Sequence, residues 1–160
     1  MKMALPVRKH PRLKTYDYSQ NGCYHITVCT KNRRPILSSL KPAERPTMHA
    51  GIQLSKIGMI VDRYIQNIPA VYPNSILEKY VIMPNHVHLL LTFSDTGSAS
   101  VPTVVRSLKR MVTKELGQSI WQDSYYDVII RSESMFQCEW EYIDSNPDKW
   151  EEDTLFVSCL

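Results

Sequence analysis

A chain of 160 residues fits one domain, long enough to bury about 70% of its unfolded surface without a disulfide or metal staple. Its four cysteines show no Cys-x-x-Cys spacing, which excludes a zinc finger or thioredoxin-like motif, and no apolar run reaches membrane-spanning length, so a soluble cytoplasmic protein with no membrane partner is expected. The formal net charge is +3, yet residues 1–18 hold five cations and one acid, so the remainder sums to −1 and the positive charge is an arm.

That arm, residues 1–20, mixes Arg8, Lys9, Arg12 and Lys14 with Tyr16 and Tyr18 and has no helical or strand period. It can order along a phosphate backbone, or it is a solvated tail; composition leaves both open. A single domain over 21–150 follows, with a tail over 151–160.

Cys23 to Thr30 is rich in β-branched residues and predicts a strand, with Tyr24, Ile26 and Val28 on one face and His25 and Thr27 on the other. By parity His25 either lines the sheet or lies near the histidine pair described below, and lining is the simpler expectation. Lys31, Arg33 and Arg34 close the strand as a phosphate clamp or as an ordinary charged strand end. Residues 35–51 contain three prolines and predict a loop with room for a small hairpin. Ser55 is placed to cap a helix to about Asn67, with an apolar stripe of Ile57, Ile60, Val61, Tyr64, Ile65 and Ile68.

Two apolar runs, Ile76 to Met83 and His86 to Phe93, flank Pro84-Asn85 and predict a tight hairpin in which Asn85 takes up the left-handed turn position. Alternation puts His86, His88 and Leu90 on one face and Val87, Leu89, Leu91 and Phe93 on the other. Two imidazoles at i and i+2 can share a divalent ion; alternatively one bonds a carbonyl and the other is solvated. A second helix over Pro102 to Leu116 has an apolar face and a basic stripe of Arg106, Lys109, Arg110 and Lys114, which either tracks a nucleic-acid backbone or is a solvated polar side. Tyr125 to Ile130 reads as a further strand. Ser132 caps a third helix that ends by Asn146, with Phe136, Trp140 and Ile143 as its apolar row and Tyr142 and Asn146 as a neighbouring polar one. Cys29 and Cys138 are expected to be small buried hydrophobes.

The order strand, helix, strand, strand, helix, strand predicts an α+β fold, a ferredoxin-like (RRM-like) βαββαβ sandwich with an added C-terminal helix. The two crossover helices cover one sheet face and leave the other to His86 and His88.

Met83-Pro84-Asn85-His86-Val87-His88-Leu89-Leu90 resembles the histidine-hydrophobic-histidine (HUH) motif of single-tyrosine transposases. Trp121-Gln122, Tyr126-Asp127, Ile130-Arg131 and Glu141 to Pro147 resemble the C-terminal block of their REP-associated branch. The resemblance runs from about Tyr24 to Pro147. It implies an endonuclease and strand transferase that nicks and joins single-stranded or hairpin repeat DNA, with magnesium or manganese as cofactor. It also implies Tyr142 as nucleophile, forming a 5′-phosphotyrosine, and His86, His88 and Asn146 as metal ligands. Tyr125 and Tyr126 are competing phenols, without a carboxamide one helical turn away. For DNA contacts the sequence nominates Arg8, Lys9, Arg12, Lys14, Arg33, Arg34, Arg106, Lys109 and Arg110. A monomer or weak homodimer is expected. A non-catalytic nucleic-acid-binding module, or a decayed transposase, would carry the same fold. A zinc hydrolase is disfavoured because no third histidine or carboxylate stands at motif spacing.

Overall fold

The computed structural model describes residues 22–41, 51–94 and 99–153. Arg8, Lys9, Arg12 and Lys14 therefore lie outside the described residues.

Alternating apolar residues build strand β1 (Gly22–Cys29), which becomes a central strand because both of its edges are paired. A 3₁₀ turn at Lys31–Arg33 leads to a short pair, β2 (Ser38–Lys41) and β3 (Gly51–Leu54), in a sheet of their own. The anticipated small hairpin region is thus a separate two-stranded sheet. Helix α1 (Lys56–Gln66) starts as expected at Ser55, whose Oγ accepts from Gly58 N at 3.0 Å. After Asn67, Pro69 sits in the first turn of a further short helix, α2 (Ile68–Val71), which the sequence did not signal. Strands β4 (Ser75–Ile82) and β5 (His86–Phe93) form the hairpin, α3 (Val101–Leu116) crosses back, and β6 (Tyr126–Ile130) returns to β1. Helix α4 (Glu133–Ser145) begins at Ser132, whose Oγ accepts from Met135 N at 3.2 Å.

The four-stranded sheet runs β4-β5-β1-β6, every neighbouring pair antiparallel. With α1 and α3 as its crossovers this is the ferredoxin-like arrangement, and α4 is the added helix. One sheet face packs Tyr24, Ile26, Val28, Val87, Leu89, Leu91 and Phe93 against α1 and α3, forming the main core. Each fully buried aliphatic side chain there contributes about 1.5–3 kcal/mol. The other face carries a smaller cluster of Val81, Met83, Leu90, Ile143 and Trp150, which seats α4 and the 3₁₀ segment Pro147–Glu152 on the sheet. Lys79 on β4 reinforces this seat: its Nζ is 2.6 Å from Asp144 Oδ1 and 4.6 Å from the centre of the Trp140 ring.

Three local expectations change. Among the described residues the non-glycines at positive φ are Asn32 and Arg33, so Asn85 does not supply a left-handed turn position. Its side chain is instead buried in the turn, because Oδ1 accepts from a histidine ring and Nδ2 donates to Arg33 O at 3.4 Å. Cys138 is exposed on α4, whereas Cys29 is buried and its thiol is pushed up to about 11 by desolvation. Lys109 is half-buried rather than part of an open stripe; its ammonium donates to the carbonyls of Gln122, Asp123 and Ser124 and ties α3 to the loop before β6.

Candidate active site

The β-strand pleat sets the first geometric fact. Pairing of Thr27 with His88 and of Cys29 with His86 places both imidazoles over the two central strands, toward the hairpin-turn end of the sheet, on the face away from α1 and α3. Both rings are buried, His86 at 0% and His88 at 3% exposure. Their Nε2 atoms are 3.0 Å apart.

Hydrogen bonds to the far side of each ring decide what those two nitrogens offer. His86 Nδ1 lies 2.8 Å from Asn85 Oδ1, an oxygen that can only accept, so the proton sits on Nδ1 and the lone pair on Nε2. His88 Nδ1 is 3.0 Å from Thr27 Oγ1 and 3.0 Å from His25 Nε2. His25 in turn directs Nδ1 at Glu139 Oε2, 2.5 Å away. Burial lowers the pKa of all three histidines, His86 to about 3 and His88 well below its ordinary 6.5, so the rings are neutral near pH 7.

Helix α4 and the turn after it bring the remaining groups. The Tyr142 ring centre is 5.4 Å from that of His88 and 5.8 Å from that of His25. At 47% exposure the phenol is open to a large substrate. Asn146, one turn later, is buried at 4%, and its Oδ1 makes no hydrogen bond of ordinary geometry among the described residues. Its carboxamide still biases both neighbours, raising the pKa of His86 and lowering that of Tyr142. The 3₁₀ segment then buries Trp150 with its ring 5.9 Å from His86 and delivers Asp153, whose Oδ2 is 3.7 Å from His86 Nε2. Tyr142, Asn146, Lys149, Glu152 and Asp153 line a cleft of about 250 Å³ beside the imidazoles.

These donors fit a divalent cation. Two Nε2 atoms 3.0 Å apart call for a cation or a shared proton between them, and ligands about 2.1 Å from an octahedral ion are spaced about 3 Å apart. The unpartnered Asn146 oxygen adds a neutral donor. One ligand atom from each of His86, His88 and Asp153 lies within 4.8 Å of the others. Asp153 was missed in the sequence because it stands seven residues beyond Asn146, with no motif to mark it. Its carboxylate also supplies, away from motif spacing, the third histidine-or-carboxylate donor whose lack counted against a zinc site.

Residues 18–146 match the transposase family described as IS200-like. The chain belongs to the IS200-like transposase family. A protein of Haemophilus influenzae with no characterised function is 30% identical to this IS200-like transposase over 175 residues, covering 94% of this chain and 93% of its own length. A solved structure of a REP-associated tyrosine transposase bound to a REP hairpin superposes with a TM-score of 0.65 at 21% identity, over 86% of this chain and 73% of that one. A candidate transposase of Deinococcus radiodurans R1 gives a TM-score of 0.50 at 20% identity, over 83% of this chain and 95% of its own. Both structural likenesses concern the fold. The match to the family ends at residue 146, so Asp153 lies beyond it.

The cations nominated for DNA contact divide by location in this IS200-like transposase. Arg33 and Arg34 belong to a turn docked on the hairpin tip, where Thr30 N donates to Asn85 O at 2.9 Å and Leu37 N to Pro84 O at 2.9 Å. They stand at the site's own end of the sheet. Arg106 and Arg110 are exposed on α3, across the sheet from the imidazoles. Of the competing phenols, Tyr125 is buried in the main core on the wrong face, while Tyr126 pairs with Thr27 on the same face as His88.

Proposed function

We propose that this IS200-like transposase is a single-strand DNA endonuclease and strand transferase that acts on hairpin repeat DNA through Tyr142. The observation that carries this reading is the approach of the half-exposed Tyr142 ring to His88, within one chain and beside the unpartnered oxygen of Asn146. His86, His88, Asn146 and Asp153 would hold a divalent cation, magnesium or manganese. Such a cation supplies positive charge that polarises the scissile phosphate.

The chain's own groups do the rest. The Tyr142 oxygen attacks phosphorus, forming a 5′-phosphotyrosine as the bond to the 3′ oxygen breaks. The phenolic proton is lost to water at the open mouth of the cleft, and the departing 3′ oxygen takes one up. One phosphate ester replaces another, so a free 3′-hydroxyl can reverse the step and join strands without a nucleotide cofactor. The phenol pKa lies above its ordinary 10, chiefly through desolvation and then through the charge of Asp153. A cation shared by Asp153 would offset the second effect. Arg33 and Arg34, with Arg8, Lys9, Arg12 and Lys14 of the arm, are proposed to hold the DNA backbone near the site, and Arg106 and Arg110 to meet flanking duplex; Lys109 serves the fold. The reaction would take place in the cytoplasm, in a monomer or weak homodimer.

The test is a labelled single-stranded hairpin repeat incubated with manganese, magnesium or zinc and resolved under denaturing conditions. Manganese or magnesium should give a covalent adduct that is absent in Tyr142→Phe and reduced at least about a hundredfold in His88→Ala. Tight, salt-sensitive binding with no adduct under any ion would make the protein a non-catalytic binding module. An adduct persisting in Tyr142→Phe would pass the role to Tyr126.

A further inference from the structure

The His25–Glu139 pair belongs neither to the cation's donors nor to the attacking phenol, yet it is buried against both. His25 is 6% exposed, and the Glu139 side chain 21%. Glu139 Oε2 is 2.5 Å from His25 Nδ1, and His25 Nε2 is 3.0 Å from His88 Nδ1. An ionised carboxylate can only accept, so the His25 proton resides on Nδ1 and its Nε2 carries a lone pair. That lone pair accepts the Nδ1 proton of His88, which leaves the Nε2 of His88 bare.

We infer that His25, oriented by Glu139, is a positioning residue that holds His88 in the tautomer whose Nε2 lone pair faces the cation position. Thr27 Oγ1, 3.0 Å from the same His88 nitrogen, can share the proton but cannot choose the tautomer, because a hydroxyl both donates and accepts. The carboxylate at the head of the chain removes that freedom. A carboxylate orienting a ligand imidazole is a general device for raising metal affinity, and here one further imidazole is interposed. Glu139 sits three residues before Tyr142 on α4. The same relay therefore ties the helix that carries the phenol to the strands that carry the imidazoles.

The inference rests on the proposed cation site, and the experiment separates the two. Long-range proton–nitrogen spectra of the histidine rings in full-length protein loaded with magnesium should show His88 protonated at Nδ1 and without a proton at Nε2. Manganese titrated into the wild type, His25→Ala and Glu139→Ala should bind at least about tenfold more weakly to His25→Ala, with a smaller loss in Glu139→Ala. Melting temperatures in chelator should fall by no more than a few degrees, and if His25→Ala fails to fold, Glu139→Ala and the wild-type spectra decide alone. His88 protonated at Nε2 overturns the inference, as does wild-type manganese affinity in a folded His25→Ala, or in Glu139→Ala where that variant decides alone. A wild type that binds neither manganese nor magnesium overturns the proposed function and the inference with it.

Discussion

Burial gives His86 a pKa of about 3, while the same ring in the unfolded chain titrates near 6.5. Between those values the unfolded state binds a proton that the native state refuses, so the metal-free protein loses stability as pH falls below 6.5. The loss is at most about 1.4 kcal/mol per pH unit per histidine, and His88, shifted in the same direction, adds to it. Thermal melts in chelator should therefore show a falling midpoint from pH 6.5 towards 4, with a shallower slope in His86→Gln; a flat profile would contradict it. At this scale strand alternation foretold that His25, Thr27, His86 and His88 lie off the main core. It could not foretell that Glu139, 114 residues from His25, closes on that ring, because parity assigns a face and says nothing of what covers it.

Gly58 shows an element placed by contact rather than by propensity. A Cβ there would stand 2.0 Å from the carbonyl oxygen of Leu37, since the first turn of α1 presses directly on the backbone leading into β2. Ser55 fastens the same junction, its backbone N donating to Leu37 O at 2.9 Å and its hydroxyl to Ile36 O at 2.6 Å. Gly58→Ala should cost about 1–3 kcal/mol, read as a lower urea midpoint at unchanged slope, although alanine is the better helix former. An unchanged midpoint would mean that the junction yields freely. Helices α1, α3 and α4 and the strands of the four-stranded sheet were legible because their apolar periods and caps are local signals, whereas the four-residue α2 has neither. The β2–β3 pair was legible only in outline, four residues per strand being too short to display a period.

For the molecule as a whole, the decisive question is whether one chain completes its own site. The Tyr142 and His88 rings are 5.4 Å apart in a single chain, with α4 seated on its own sheet by Ile143 and Trp150. Mixing Tyr142→Phe with His88→Ala should consequently restore no adduct. Recovery towards half of wild-type yield would show that chains exchange α4. The sequence by itself determined the strand and helix order, the face that holds the imidazoles, and the family motifs, since each is written in residue types at fixed local spacing. Only the tertiary structure decided that Asp153 reaches His86, that Glu139 reaches His25, that Lys109 is engaged by carbonyls, and that Asn85 orients a histidine. Those outcomes depend on how a helix and a turn settle on a sheet, and side chains brought together by such packing share no spacing along the chain.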